Sequence, residues 1–247
     1  MAFADSNGVQ IYYPDGPPLV LQHGLTGYLE SWRERGYTEM LGGAYRLILI
    51  DARGHGRSDK PHEPEAYARE RRSEDVVAVL DQLGVEKTHY FGYSMGGRIG
   101  CALLSHSPER LLSAVMGGFN PYVTASAATM PETREEFERS IEARPGLTPE
   151  VRAHLIANDL DALRASTIGS SGPAMTSDAL DNPLPILLFS GSENAPLEGA
   201  RKAAEAASNG QFFVVPGRDH SGAVADVNFV GPRVERFLAS VAVSGPV

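Results

Sequence analysis

The stretch Gly92-Tyr93-Ser94-Met95-Gly96-Gly97 constrains this chain more than any other. A strand-forming run, Lys87 to Phe91, leads into it, and a helix-forming segment to about Ser105 follows. A strand that passes into a helix at one residue forces that residue into a strained backbone, tolerated only where small residues stand two positions to either side. Gly92 and Gly96 meet that demand. The turn lifts the Ser94 hydroxyl above the sheet edge, and the free N–H groups of the helix start face any negative charge developing there.

The segments around this turn alternate between strand and helix. Strands are expected at Val9–Tyr13, Leu19–Gln22, Arg46–Ile50, Leu111–Met116, Pro185–Ser190 and Gln211–Val215. Arg46-Leu47-Ile48-Leu49-Ile50 is almost continuously apolar, as a strand covered on both faces should be. Helices are expected over about Ser31–Leu41, Glu65–Leu83, Leu197–Ala207 and Phe229–Val241; Val76, Val77, Val79, Leu80 and Leu83 give the second an apolar stripe, and Gly84 stops it. This alternation predicts an α/β fold, a doubly wound, mostly parallel sheet with helices on both faces. The functional loops then lie at the C-terminal ends of the strands. They are His23 to Gly27, the Ser94 turn and the loop at His220.

From Asn120 to Asp181 the pattern changes to charged helical segments separated by Pro145-Gly146 and Gly169-Ser170-Ser171-Gly172-Pro173. Residues 120–182 are read as a small helical lid, with 1–119 and 183–247 as the core. Asp15-Gly16-Pro17-Pro18 reads as a turn, and Ser244-Gly245-Pro246-Val247 as a disordered tail.

Composition narrows the partners. The net charge of −9, from 22 basic and 31 acidic residues, argues against nucleic acid or an anionic membrane surface. No apolar run is long enough to span a bilayer, and the N-terminus lacks the basic and apolar regions of a signal peptide. The single cysteine, Cys101, rules out an internal disulfide and reads as a buried core thiol, which fits a cytoplasmic protein.

Four blocks in order resemble the α/β-hydrolase fold family, and its serine esterase and enol-lactonase branch in particular. They are His23-Gly24, Asp51-Ala52-Arg53-Gly54-His55-Gly56-Arg57-Ser58-Asp59, the Ser94 stretch, and His220 near the end. The resemblance implies Ser94 as nucleophile, His220 as its base, and an oxyanion hole built from the backbone N–H groups of Leu25 and Met95. The chemistry agrees, because a serine hydroxyl needs an adjacent base at neutral pH and histidine has the suitable pKa. Of the seven histidines, His220 follows the last strand, where the family keeps its base; His23 and His55 read as structural loop histidines.

The third triad member departs from the family. The usual Asp position, after the strand ending at Ser190, is Asn194 in Gly191-Ser192-Glu193-Asn194-Ala195-Pro196. The other loop that supplies an acid in some members, Gly117-Gly118-Phe119-Asn120, holds no carboxylate either. An Asp-to-Asn change in a serine protease triad costs on the order of 10⁴ in kcat, about 5 to 6 kcal/mol. Three readings stay open: Glu193 reaches His220 as the acid, Asn194 orients it in a slow enzyme, or the chain is a disabled variant with Asn in place of Asp. Asp219 adjoins His220, but a neighbouring side chain ordinarily points away.

Ser94 stands where haloalkane dehalogenases and epoxide hydrolases carry Asp, which sets those chemistries aside. The expected function is cleavage of a small carboxylic ester or lactone through an acyl-enzyme, with no metal or cofactor. Trp32, Tyr28, Phe119, Tyr122 and Met95 are candidates for an apolar substrate pocket. A cofactor-independent lyase or oxygenase and a non-catalytic small-molecule receptor are the alternatives on the same fold.

Overall fold

A computed structural model describes residues 2–6, 9–13, 16–123, 130–144, 146–172, 174 and 177–241. Strands β1 (Ala2–Ser6) and β2 (Val9–Tyr13) pair antiparallel as a two-stranded sheet. The main sheet has six strands: β3 (Pro18–Gln22), β4 (Arg46–Ile50), β5 (Thr88–Tyr93), β6 (Leu111–Gly117), β7 (Ile186–Gly191) and β8 (Gly210–Val215). Their order is β4-β3-β5-β6-β7-β8 and every neighbouring pair is parallel, the doubly wound α/β arrangement that alternation demands.

Residue alternation sorts the strands into two cores. Leu19, Leu21, Phe91, Val115, Leu187 and Phe189 face the helices α1 (Glu30–Glu34), α2 (Tyr37–Leu41) and α11 (Val227–Ser240). Val20, Ile48, Tyr90, Met116 and Leu188 face α3 (Arg69–Gln82), α4 (Met95–His106) and α9 (Leu197–Ala206). Strands β3, β5 and β7 are buried at every residue, which is why they carry no polar face. Cys101 is fully buried between sheet and helix, and the burial pushes its thiol pKa up to about 12.

Between β6 and β7 lie α5 (Arg134–Glu142), α6 (Pro149–Ile156), α7 (Leu160–Gly169) and the short α8 (Ser177–Leu180). Phe137, Ile141, Leu155 and Leu163 give this insertion its own apolar cluster, against which Leu25 of the β3 loop also packs. Arg98 on α4 anchors the insertion at both ends: its guanidinium donates to the Val123 carbonyl (2.9 Å) and the Gly172 carbonyl (2.8 Å).

Some boundaries differ from the sequence expectation. The helix expected over Ser31–Leu41 is two short helices, because Gly36 takes φ 85° between them. The residues before α3 form a 3-10 turn, Pro64–Tyr67. His220 opens a short helix, α10 (His220–Ala225), where a loop was expected, since Asp219 caps it through the Gly222 N–H at 2.6 Å. The expected tail 244–247, Asp15 of the expected turn, and residues 124–129, 145, 173, 175 and 176 of the lid segment lie outside the described residues. Among the described residues, no helix is long and apolar enough to cross a membrane.

Candidate active site

Ser94 sits at the C-terminal end of β5 with φ 55° and ψ −110°. Its amide donates to the Gly117 carbonyl of neighbouring β6 at 2.8 Å, so the strained turn is pinned to the sheet. Gly92 and Gly96 are required sterically. A Cβ on Gly92 would overlap the Gly96 carbonyl oxygen, and a Cβ on Gly96 would overlap the Gln22 carbonyl oxygen on β3. The chain can make this turn only by close backbone approach on both sides.

Because β3 lies beside β5, the loop after β3 arrives next to Ser94. A Cβ on Gly24 would stand 3.3 Å from Ser94 Cβ and 3.9 Å from Ser94 Oγ. Gly24 to Gly27 form a β-turn closed by Gly27 N–H to the Gly24 carbonyl at 3.0 Å. Thr26, at its third position, has φ 66°, where a type II turn ordinarily takes glycine. Among the described residues, Thr26 and Ser94 are the only non-glycine residues with positive φ. For a β-branched residue this costs on the order of 1–3 kcal/mol, and such strain concentrates at functional sites. Neither the Leu25 nor the Met95 N–H makes a backbone hydrogen bond among the described residues.

His23 fastens this turn to the core. Its Nδ1 lies 2.8 Å from the Gly24 carbonyl and its Nε2 accepts the Ala52 N–H at 3.1 Å, so the ring is neutral with its proton on Nδ1. Burial lowers its pKa to about 4. His55, buried beside it with ring centroids 5.2 Å apart, is also held well below the ordinary histidine value by desolvation.

On the other side of Ser94, the loops after β7 and β8 meet. Asn194 is 8 % exposed, and its Nδ2 lies 3.4 Å from His220 Nδ1. Glu193 is exposed; its backbone N–H bonds the Arg218 carbonyl, and its carboxylate makes no hydrogen bond or ion pair among the described residues. Asp219 spends its carboxylate on the helix cap and reaches His220 only through its charge. The structure therefore brings Asn194 to His220, and not Glu193.

With Nδ2 turned toward it, Nδ1 is an acceptor and the ring's one proton sits on Nε2, the tautomer that cannot take a proton from serine. Rotating the amide by 180° would present Oδ1 instead and restore the basic Nε2, without supplying any charge. His220 is exposed, with the Tyr93 ring 5.4 Å from its own. Desolvation lowers its pKa below the ordinary value and the Asp219 charge opposes that. Tyr93 backs the histidine, donating its hydroxyl proton to the His220 carbonyl at 2.5 Å.

The expected pocket residues are placed unequally. Trp32 is buried against Tyr37 and Phe91, and it borders a cavity of about 70 Å³ beside Gly24 and Tyr93. Met95 is buried under the Ser166 hydroxyl. Tyr28 stacks on His154 of the insertion and donates to Glu34. Phe119 lies in the core beneath α4, and Tyr122 is 42 % exposed. Asn158, in the joint between α6 and α7, was not singled out in the sequence. It donates its Nδ2 to the Thr26 carbonyl at 3.1 Å. No sequence signal marks it, because an Asn between two helices reads as an ordinary turn residue.

A family model described as alpha/beta hydrolase fold matches residues 17–174. The chain belongs to this family. Among solved structures similar to this α/β hydrolase is the enol-lactonase from Burkholderia xenovorans LB400. It has a TM-score of 0.80 at 20% identity, covering 96% of this chain and 100% of that one. The esterase RhEst1 from Rhodococcus sp. ECU1013 has a TM-score of 0.77 at 26% identity, covering 92% of each chain. A Bacillus subtilis (strain 168) protein provisionally named 2-succinyl-6-hydroxy-2,4-cyclohexadiene-1-carboxylate synthase is 35% identical over 139 residues. That match spans 54% of this chain and 48% of the relative, so the chain spans about half the length of that relative.

Proposed function

We propose that this α/β hydrolase cleaves small carboxylic esters or lactones through an acyl-enzyme on Ser94. The observation that carries the reading is the strained Ser94 turn, with the Leu25 and Met95 amides making no backbone hydrogen bond among the described residues and His220 opening the helix after β8. With the Asn194 amide turned so that Oδ1 accepts the Nδ1 proton, Ser94 attacks the carbonyl, His220 Nε2 takes the hydroxyl proton, and the two amides stabilise the oxyanion. A water activated by the same histidine then releases the acid. Asn194 occupies the orienting position, so the imidazolium forms without a neighbouring carboxylate and the chemistry runs slowly. The cavity of about 70 Å³ beside Gly24 supports a short acyl group. The helices between β6 and β7 act as the lid over a small-molecule substrate.

The test is pre-steady-state turnover of p-nitrophenyl acetate with mass spectrometry of the intact chain. A stoichiometric burst and an acetyl group on Ser94, both absent in Ser94→Ala, are expected. No burst and no adduct would overturn the reading.

A second reading, a cofactor-independent lyase using the same Ser94 and His220, draws on the likeness to the Bacillus subtilis protein that bears a synthase name. Under that reading the wild-type chain releases no acid from simple esters and forms no acyl adduct.

A further inference from the structure

We infer that Asn158 is a positioning residue for the oxyanion hole, and that it couples the seating of the helical insertion to the geometry of the Leu25 amide. The inference rests on the hydrolase reading of Ser94 for its kinetic consequence.

Thr26 has no intrinsic reason to be left-handed. A β-branched side chain disfavours φ 66°, and a free Gly24–Gly27 turn would relax toward a conformation with negative φ at its third position. Relaxation would rotate the peptide units on both sides of Thr26, and the Leu25 N–H lies one residue before it. Something must hold the turn, and two side chains do so from opposite sides. His23 grips the Gly24 carbonyl from the core. Asn158 grips the Thr26 carbonyl from the insertion.

Asn158 is built for that task. It is buried, and its Nδ2 also donates to the Leu155 carbonyl at 3.0 Å, so the amide is oriented before it reaches Thr26. Its own carbonyl accepts from Arg134 Nη1 of α5 at 2.7 Å, and the next residue, Asp159, caps α7 through the Ala162 N–H at 3.0 Å. The joint is thus fixed by three helices at once. One turn earlier on α6, His154 stacks on Tyr28 with ring centroids 3.4 Å apart, a second contact between the same helix and the same loop. Leu25 itself packs both on the sheet core and on the insertion cluster. An insertion that lifts away loses all of these together, and the left-handed turn loses its outer support.

The experiment compares the full-length wild-type chain, Asn158→Ala, the isosteric Asn158→Asp, and Asn158→Ala combined with Thr26→Gly. Hydrogen exchange reads the Gly27 amide, which closes the turn. It should speed up about tenfold or more in both single variants while α5 keeps its protection. With p-nitrophenyl acetate, kcat should fall about 10- to 100-fold while KM stays within about twofold, because a misplaced oxyanion donor acts on the transition state alone. Thr26→Gly should recover most of that loss, since glycine holds a positive φ without a tether. Unchanged exchange at Gly27 in both single variants, or no recovery with Thr26→Gly, would overturn the inference. Should Asn158→Ala loosen α5 as well, Asn158→Asp decides, since it keeps the side-chain shape and turns the donor into an acceptor facing the Thr26 and Leu155 carbonyls. A wild-type chain with no ester turnover would sink the hydrolase reading instead, and the exchange data would still decide the tether.

Discussion

Ser94 and His220 stand at the same edge of one sheet but are held by different physics. Ser94 is fixed by backbone packed on three sides: the Gly117 carbonyl bonds its amide, and no Cβ fits at Gly92 or Gly96. His220 opens a six-residue helix and is exposed, and among the described residues its ring makes one side-chain hydrogen bond, to Asn194 at 3.4 Å. Hard-sphere packing tolerates almost no substitution. A single long amide contact leaves room for change, and changes there alter rate before they alter folding. The Ser94 half of the site is therefore tied to stability, and the His220 half is tunable.

The largest expected effect lies on the tunable half. Asn194→Asp places a carboxylate on Nδ1, fixes the productive tautomer and stabilises the imidazolium, so ester turnover should rise about 10²- to 10⁴-fold. The same charge should raise the His220 pKa. In the wild type the base is neutral down to a pH below 6.5, because desolvation lowers its pKa, so the acid limb of kcat/KM falls below 6.5. In Asn194→Asp that limb should move to higher pH. An unchanged rate and limb would show that position 194 does not act on His220.

The next effect belongs to the rigid half. Gly96→Ala drives a Cβ into the Gln22 carbonyl of β3, and the unfolding free energy should drop by about 3 kcal/mol or more. A urea midpoint within error of the wild type would break the claim that sterics hold Ser94.

Acid should also act on the rigid half first. His23 and His89 are buried and neutral, each with its pKa lowered to about 4 by burial from an unfolded value of 6.5. The unfolded chain binds more protons between those values. Stability is therefore full above pH 6.5 and falls as pH drops toward 4, by up to roughly 3 kcal/mol per histidine. Urea titrations at pH 7 and 4.5 test this, and equal midpoints would refute it. The smallest effect is at Glu193, whose exposed carboxylate makes no hydrogen bond or ion pair among the described residues. Glu193→Gln should change turnover by less than about twofold, and a larger loss would return Glu193 to the role of acid.

The fold and the strained turn at Ser94 were legible in the sequence because both follow from local rules. Near-continuous apolar runs separated by helical stripes dictate a parallel sheet covered on both faces, and only a Gly-flanked residue can make the strand-to-helix turn at Ser94. The break at Gly36 and the helix at His220 were missed because short helices are decided by one cap or one glycine conformation, not by periodicity. The choice between Glu193 and Asn194 was undecidable from spacing. Adjacent residues on a loop point in different directions, and only the docking of the β7 loop on the β8 loop selects which one faces Nδ1.

By itself, then, the sequence determined what is short-ranged: the strand order in time, the glycines at 92 and 96, the serine between them, and the lack of a carboxylate at 194. Tertiary structure alone decided what pairs across distance: His23 with Gly24 and Ala52, Asn194 with His220, and Asn158 with Thr26, 132 residues away. The reason is geometric. A hydrogen bond requires atoms within about 3 Å in a set direction, and for residues far apart in the chain only the packing of sheet, helices and insertion supplies that position.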